Sequence, residues 1–219
     1  MIEPVLKMQD LCFSISSKGS RRARGELGLK RYSLRGPSGC GKTTFLRVLA
    51  GLHPLQSGTL SLGNRNISHL LPHERRCGFV FQGSPLFEHL SVLENMTFGM
   101  RNFFPTFSEE LMKSRALEFL DRVSLKGFES RSTLDLSGGE RSRVSIARTL
   151  LCEPDFLLLD EPFSTLDETL KLEVMTLLIE LIEKKPIPSL LVTHSKNEAE
   201  LFSSHVVEWS TGDICINFS

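Results

Sequence analysis

The sequence lacks the features of a membrane-spanning or secreted chain. No apolar run approaches the length of about 20 residues that crosses a bilayer, and runs such as 156–159 and 189–192 have the length of strands. The residues at the N-terminus show no signal-peptide pattern. We therefore expect the chain to remain on the cytosolic side of a membrane.

An excess of charge of one sign is also missing. The 26 lysine and arginine residues balance the 26 aspartate and glutamate residues, so bulk charge gives no reason to expect nucleic acid or an anionic lipid surface as a partner. The nearest approach to a basic cluster, within 18–30, is interpreted as part of a solvated loop over 16–28. No nucleic-acid partner is therefore expected.

Paired cysteines are absent as well. The five cysteines are an odd number, lie far apart in the chain and form no C-x-x-C motif, which favours reduced thiols over a disulfide set or a metal site. They are Cys12, Cys40, Cys77, Cys152 and Cys215. Cys40 is of interest because it falls within the motif described next.

The sequence does contain a phosphate-binding motif. Residues 36–44 fit the pattern G-x-x-x-x-G-K-[ST], and an apolar helical pattern follows directly. Glycines let the backbone fold around an anion, Lys42 can reach the β- and γ-phosphates of a nucleotide, and the Thr43 hydroxyl can hold Mg²⁺. The residues predicted to bind the phosphates are Gly36, Pro37, Ser38, Gly39, Cys40, Gly41, Lys42, Thr43 and Thr44.

Apolar runs and turn residues predict an α/β fold. Strands are predicted over 5–15, 30–35, 59–62, 77–81, 156–159 and 190–193, and a hairpin of strands 206–209 and 214–216 closes the chain. Helices are predicted over 42–51, 91–100, 108–123, 136–150, 170–182 and 195–202. Because strands alternate with helices at both ends while 83–150 is mostly helical, we predict a parallel α/β core interrupted by a helical lobe.

Three details of these elements are open to test. The strand over 30–35 is polar for a buried central strand. The helix over 108–123 is expected to bury Leu111, Leu117, Leu120 and Val123 on one face. The last helix is expected to begin with a capping box that extends over 195–198.

Two adjacent carboxylates follow a buried strand. Asp160 comes directly after an apolar run, and the carboxyl end of a parallel strand lies at the edge where such sheets bind ligands. We therefore expect Asp160 to orient Mg²⁺. Because neighbouring residues of a strand point to opposite sides, Glu161 is expected to meet the attacking water as the general base.

The motif L-S-G-G-E at 136–140 resembles the L-S-G-G-Q signature of ATP-binding cassette (ABC) ATPases. Other marks of that family stand around it in the family's order. Gln82 closes a strand like the Q-loop, S-T-L-D at 164–167 is similar to the D-loop, and His194 closes a strand like the switch histidine. Together the motifs span 36–194.

The resemblance implies a P-loop NTPase fold with a RecA-like parallel sheet core, an antiparallel β subdomain and an inserted helical subdomain. The chain would then be a single ABC ATPase domain over 1–219. Residues 1–82 and 151–219 would form the α/β core with its N-terminal β lobe, and 83–150 would form the helical lobe that carries the signature.

The resemblance also implies how the site works. Two chains face head to tail, and ATP with Mg²⁺ lies between the P-loop of one chain and the signature of the other. Ser137, Gly138 and Gly139 would bind the γ-phosphate from the opposite chain. His194 would contact the γ-phosphate of its own chain, and Gln82 would contact Mg²⁺ and the attacking water. The metal-binding residues would be Thr43, Gln82 and Asp160.

The stretch 84–95 is similar to the region after the Q-loop in importer-type ABC ATPases, which receives a helix of a membrane partner. The resemblance therefore implies an ATP-hydrolysing subunit of an importer, held at the cytoplasmic face of the cell membrane by its partners. Those partners would be transmembrane permease subunits and a second ATPase subunit in a homodimer. No C-terminal regulatory domain is expected, because the chain ends soon after the last predicted strand.

Two positions depart from the family's pattern. Glu140 replaces the usual glutamine; it still fits a capping box with Ser137, but its charge is expected to repel a phosphate about 8 Å away by roughly 2 kcal/mol. Ile15 stands where the adenine-stacking aromatic is usual, and Phe13 lies on the same strand face. We interpret Phe13 as a core residue and expect weak or aliphatic stacking of adenine.

Three other functions stay open at this point. A soluble ABC ATPase of DNA repair or translation would carry a long coiled-coil insertion or a second cassette, and this sequence has neither. A degenerate regulatory module would bind ATP without turnover; Glu161 and His194 argue against it, whereas Glu140 and Ile15 leave it open. An unrelated P-loop kinase or GTPase predicts no role for Ser137.

Overall fold

The computed structural model describes residues 5–15, 19–209 and 212–216. The chain forms two compact units. The first comprises Met1–Phe79, Asp155–Glu161 and Lys185–Ser219, and the second comprises Val80–Pro154 and Pro162–Lys184. Among the described residues, no helix combines the length and the apolar character needed to cross a membrane.

The elements alternate along the chain much as the sequence predicts. The strands are β1 Leu6–Ile15, β2 Gly19–Leu27, β3 Arg31–Arg35, β4 Ser57–Leu62, β5 Arg65–Asn66, β6 Cys77–Val80, β7 Phe156–Asp160, β8 Ser189–Thr193, β9 His205–Glu208 and β10 Ile214–Ile216. The α-helices are α1 Lys42–Ala50, α2 Val92–Phe98, α3 Met100–Phe103, α4 Glu109–Arg122, α5 Gly138–Leu151, α6 Glu168–Lys184 and α7 Lys196–Phe202.

One sheet of the first unit has the order β10-β2-β1-β4-β5, and β1 pairs antiparallel with both β2 and β4. The prediction of a loop over 16–28 is therefore wrong for 19–27, while 16–18 lies outside the described residues. The polar sequence suggested a loop because β2 buries few side chains, Ala23 and Leu27 among them. Its backbone pairs with β1 while most of its side chains reach solvent.

The second sheet has the order β6-β7-β8-β3-β9, and its pairs β7–β8, β8–β3 and β3–β9 are parallel. Two polar side chains of the strand β3, which lies inside this sheet, have hydrogen-bond partners. The buried Ser33 hydroxyl donates to the Ala199 carbonyl at 3.0 Å, and Arg31 Nε donates to the Phe202 carbonyl at 2.8 Å. Helix α7 thus accepts hydrogen bonds from two of the polar side chains that made this strand look unsuitable for a core, and Arg35 pairs with Glu208 of β9 at 2.7 Å.

The predicted C-terminal hairpin is wrong. Strand β9 pairs parallel with β3 in one sheet, whereas β10 pairs parallel with β2 in the other. The two strands therefore close different sheets. Local turn residues suggested a hairpin, but long-range pairing decided where each strand goes.

Each unit has its own apolar core. In the first, Phe13 is fully buried and stacks on Phe45 of α1 with ring centroids 5.9 Å apart, which confirms its interpretation as a core residue. In the second, α4 buries Met112, Ala116 and Leu120. The predicted buried face of α4 is wrong in part, since Leu111 and Leu117 are exposed. The buried side chains of α4 are instead spaced four residues apart, which places them on a neighbouring face of the helix.

The helix predicted over 91–100 is also shorter than expected. Helix α2 ends at Phe98, and the separate short helix α3 begins at Met100 after Gly99. A side-chain and backbone capping box formed by Ser91 and Glu94 begins α2. The lobe is therefore built from several short helices around α4 and α5.

Candidate nucleotide-binding site

The phosphate-binding loop follows β3 and leads into α1, as predicted. Gly41 has a φ of 116°, a backbone conformation that favours glycine. A Cβ atom at Gly41 would also lie only 2.2 Å from Ile15 Cδ1. Lys42 Nζ donates hydrogen bonds to the carbonyls of Gly36 at 2.7 Å and Pro37 at 3.0 Å, so its positive charge lies against the loop.

Helix α1 is held at its other end by Arg75, which sequence reasoning missed. Arg75 is buried, and its Nη1 donates to the Val48 and Leu49 carbonyls at 2.9 Å each, at the C-terminus of α1. Its Nε donates to the Leu70 carbonyl at 3.0 Å. Burial lowers the pKa of Arg75. Because a cation is favourable at a helix C-terminus, this contact stabilises the helix whose first residues are the predicted phosphate-binding residues.

The predicted metal ligands Thr43 and Asp160 lie together. Thr43 Oγ1 donates a hydrogen bond to Asp160 Oδ1 at 3.0 Å. Asp160 is only 4% exposed, and burial raises its pKa, against the opposing effect of the Thr43 hydrogen bond. A hydroxyl and a carboxylate are oxygen ligands of the kind that Mg²⁺ prefers, and a cation would favour the ionised carboxylate. The residues present therefore fit Mg²⁺.

Glu161 and His194 also meet at this edge of the sheet. Glu161 Oε2 lies 3.3 Å from His194 Nδ1, and the two side chains are 20% and 66% exposed. The strand ends at Asp160, and Glu161 has a φ of 44°. The direction of the Glu161 side chain therefore follows from a left-handed backbone conformation, rather than from the strand alternation we expected.

A second residue that sequence reasoning missed is Trp209. It is buried, and its ring packs edge-on against Phe45 with centroids 6.3 Å apart. A Cβ atom at Gly41 would lie 3.0 Å from this ring as well as close to Ile15. An indole and an aliphatic side chain thus cover the inner side of the loop, and the weak stacking of adenine at Ile15 stays a prediction.

The signature residues lie in the second unit, at the start of α5. Ser137 Oγ accepts from the Glu140 N–H at 3.3 Å, and the Ser137 N–H donates to Glu140 Oε2 at 2.7 Å, so the predicted capping box is confirmed. These bonds, with the backbone N–H of Ser137 as the main cause, lower the pKa of Glu140. A charged carboxylate therefore occupies the tip of the helix beside the exposed Ser137 and Gly138.

The two signature glycines differ in the space that surrounds them. A Cβ at Gly139 would lie 2.3 Å from Leu170 Cδ2 of α6, whereas a Cβ at Gly138 would lie 3.7 Å from Leu166 Cδ2, an ordinary contact. Internal packing therefore requires Gly139 and leaves Gly138 open to a close approach from outside. Gln82 is exposed in the same unit, two residues after β6 ends.

Comparison with known proteins decides the family. The family model described as ABC transporter matches residues 29–164. The chain belongs to the ABC transporter family.

Among ABC transporter proteins, the chain is similar to the sulfate/thiosulfate import ATP-binding protein CysA of Vibrio vulnificus, at 43% identity over 83% of this chain and 53% of the relative. It is similar to the Fe(3+) ions import ATP-binding protein FbpC of Fusobacterium nucleatum, at 38% identity over 84% of this chain and 49% of the relative. The chain thus spans about half the length of these curated relatives.

Solved ABC structures share the fold. The dimeric structure of MJ0796, a bacterial ABC transporter cassette, matches with a TM-score of 0.80 and 29% identity over 95% of this chain and 96% of that one. A dimeric post-hydrolysis state of the same cassette, bound to ADP and Pi, matches equally. The predicted P-loop NTPase fold of the ABC family is confirmed.

Alkylation of Cys40 with N-ethylmaleimide is expected to block nucleotide binding. The Cys40 sulfur lies 3.2 Å from the position of a Cβ at Gly36 and 4.0 Å from Lys42 Nζ, so an adduct must displace the loop. Nucleotide affinity is measured after mass spectrometry confirms the adduct, and bound ATP should protect the thiol. A Cys40→Ala chain, which retains the exposed Cys215, should keep its affinity under the same treatment. Unchanged affinity at full Cys40 modification would contradict the prediction.

Glu140→Gln is expected to strengthen the nucleotide-bound dimer by a factor between about 2 and about 10, because it removes a charge from the helix tip without removing the cap. Glu94→Gln is a matched control, since Glu94 closes the same kind of box with Ser91 at the start of α2. Sedimentation with ATP measures both variants. Equal dimerisation of the two would argue against an effect of the Glu140 charge.

Proposed function

We propose that the chain binds and hydrolyses ATP as a subunit of an ABC importer. The observation that carries the proposal is that residues of three separate motifs lie at one edge of the parallel sheet. Thr43, at the start of α1, contacts Asp160 at the carboxyl end of β7 at 3.0 Å. His194, which follows β8, lies 3.3 Å from Glu161, which follows β7.

In this proposal each group has one task. The loop over 36–44 and Lys42 hold the triphosphate, while Thr43 and Asp160 hold Mg²⁺, which neutralises phosphate charge when bound. Glu161 accepts a proton from the attacking water. His194, next to Glu161, holds the γ-phosphate oxygen and limits the directions the Glu161 carboxylate can take. The roles of Gln82 in contacting the metal and the water stay predictions.

The second half of the site comes from another copy of the chain. Ser137 and Gly138 are exposed at the tip of α5, where backbone N–H groups and the helix dipole favour an anion. The open space at Gly138 allows a phosphate to approach the backbone closely. The similar cassette MJ0796 forms a dimer in its solved structure, which supports a dimer here.

An aromatic surface of the second unit suits a membrane partner. Phe87 and Phe98 are both exposed, and their ring centroids lie 4.5 Å apart. The guanidinium of Arg148 lies over the Phe87 ring at 5.6 Å. Exposed aromatic side chains beside an arginine are common anchors of protein interfaces, so we assign this surface to a helix of the transmembrane permease at the cytoplasmic face. The two relatives are named for different ions, so the transported solute is left unassigned.

The test combines turnover with partner capture. The purified chain should release phosphate from ATP with Mg²⁺ and stop when EDTA removes the metal. A tagged chain should co-purify with a polytopic membrane protein from its native membranes, and a Phe87→Ser, Phe98→Ser double variant should lose the partner while it keeps ATP binding. ATP binding without turnover, alone and with the partner, would support a regulatory module instead.

A further inference from the structure

Glu198 is a buried carboxylate that has no task in the function proposed above. It lies in the first turn of α7 and is only 6% exposed. Burying an ionised carboxylate is costly unless hydrogen bonds replace its water. The structure supplies one from Thr193, whose Oγ1 donates to Glu198 Oε2 at 2.5 Å. Thr193 is the last residue of β8 and is itself fully buried.

These bonds differ from the capping box predicted over 195–198. Half of the box is present, because Ser195 Oγ accepts from the Glu198 N–H at 3.3 Å. The Ser195 N–H, however, donates to Thr193 Oγ1 at 3.0 Å. A hydroxyl has one proton and two lone pairs. Because Glu198 accepts that proton, an oxygen lone pair of Thr193 is directed at the Ser195 N–H.

The same bonds hold the backbone on both sides of His194. The peptide before His194 belongs to β8, where Thr193 is paired with Arg35 of β3. The peptide after His194 contains the Ser195 N–H that the Thr193 hydroxyl holds. The imidazole is 66% exposed, so packing does little to orient it. Its direction toward Glu161 therefore depends on the backbone at this turn.

We propose that Glu198 is a positioning residue for His194 and acts through the Thr193 hydroxyl. The inference rests on the proposed function, since His194 serves the same hydrolysis site. Loss of the Glu198 carboxylate frees the Thr193 proton to turn, which releases the Ser195 N–H and lets the His194 imidazole leave Glu161. Glu198 touches no reacting atom in this proposal.

Steady-state kinetics test the proposal on the full chain. Glu198→Ala and Thr193→Val are expected to lower kcat between about 10-fold and about 100-fold, the range that a small misplacement of a catalytic group produces. KM for ATP should change by less than about 2-fold, because the phosphate-binding loop is untouched. Thr193→Ser keeps the hydroxyl and should restore most of the activity.

Two controls separate positioning from general stability. Glu200→Ala removes an exposed carboxylate of the same helix, which pairs with Lys196 at 3.6 Å, and should leave kcat unchanged. In a His194→Ala background, Glu198→Ala should lower kcat by less than about 2-fold further, because the two residues act as one unit. Equal losses in both backgrounds, or an equal loss from Glu200→Ala, would overturn the proposal.

An NMR measurement that needs no ATP hydrolysis tests this inference independently of the proposed function. The imidazole Cε1–H resonance of His194 is assigned by its disappearance in His194→Ala. It should shift in Glu198→Ala and Thr193→Val, while the resonance of His53, on another part of the same unit, stays in place. An unmoved His194 resonance would overturn the inference even in a chain that hydrolyses ATP. A wild-type chain without hydrolysis would overturn the proposed function, and the resonance would still decide this inference.

Discussion

Glu161→Gln is expected to lower ATP hydrolysis by about 10²- to 10⁴-fold, the contribution typical of a general base. Glutamine keeps the shape of the side chain but cannot take a proton from water at neutral pH. ATP should still bind, because the loop over 36–44, Thr43 and Asp160 are unchanged. The variant should therefore accumulate as an ATP-bound dimer.

Phosphate release and nucleotide affinity measure the two halves of this prediction, and light scattering with ATP and Mg²⁺ follows the dimer. Glu200→Gln makes the same chemical change on an exposed part of the same unit and should hydrolyse ATP at the wild-type rate. Hydrolysis that survives in Glu161→Gln would remove Glu161 from the role of base. A variant that binds ATP but stays monomeric, even with its membrane partner present, would contradict the shared site.

ATP hydrolysis is expected to recover when two inactive variants of the chain are mixed. Lys42→Met removes the positive charge of the loop and should abolish tight ATP binding. Ser137→Asp keeps a good N-cap for α5 but places a second negative charge where the γ-phosphate of the partner chain would lie. Each variant alone should therefore hydrolyse little ATP, through different defects.

Mixed together, the two chains should recover activity, up to about one quarter of the wild-type rate with random pairing into twofold dimers. A mixed pair contains one site with an intact loop from the Ser137→Asp chain and an intact signature from the Lys42→Met chain. Ser137→Asn is the matched control, because it keeps the cap without the charge and should lose much less activity. A mixture no more active than its components would contradict the head-to-tail arrangement.

The site shows where sequence reasoning succeeds. The phosphate-binding loop and the signature are each contiguous, so their residue order alone predicts a glycine turn at a helix start and a capping box. Thr43 and Asp160 stand 117 residues apart, yet their contact could be predicted, because both belong to elements that end at the ligand-binding edge of a parallel sheet. The Glu161 backbone could not, since its φ of 44° breaks the alternation of the strand.

Positioning residues were harder to predict. Nothing in the sequence separates the buried Arg75 from its neighbour Arg76, and it is Arg75 that donates to the carbonyls at the end of α1. Glu198 fitted a capping box, and its carboxylate instead serves the Thr193 hydroxyl. Arg75 is buried against a helix 26 residues earlier in the chain, whereas the partner of Glu198 is only five residues away but lies at the end of a different element. In both cases burial selected one partner among those that the local pattern allowed.

The amino-acid sequence by itself determined which candidate groups this protein has: a loop suited to phosphates, oxygen atoms suited to a divalent cation, an adjacent carboxylate and a serine-glycine helix tip. Tertiary structure decided which strands close which sheet, which face of α4 is buried, and which partners the buried side chains of Arg75 and Glu198 take. The physical reason is the separation along the chain between interacting residues. A glycine turn or a helix cap is completed within a few residues, whereas strand pairing and the burial of a charge depend on partners that the fold brings from far along the chain.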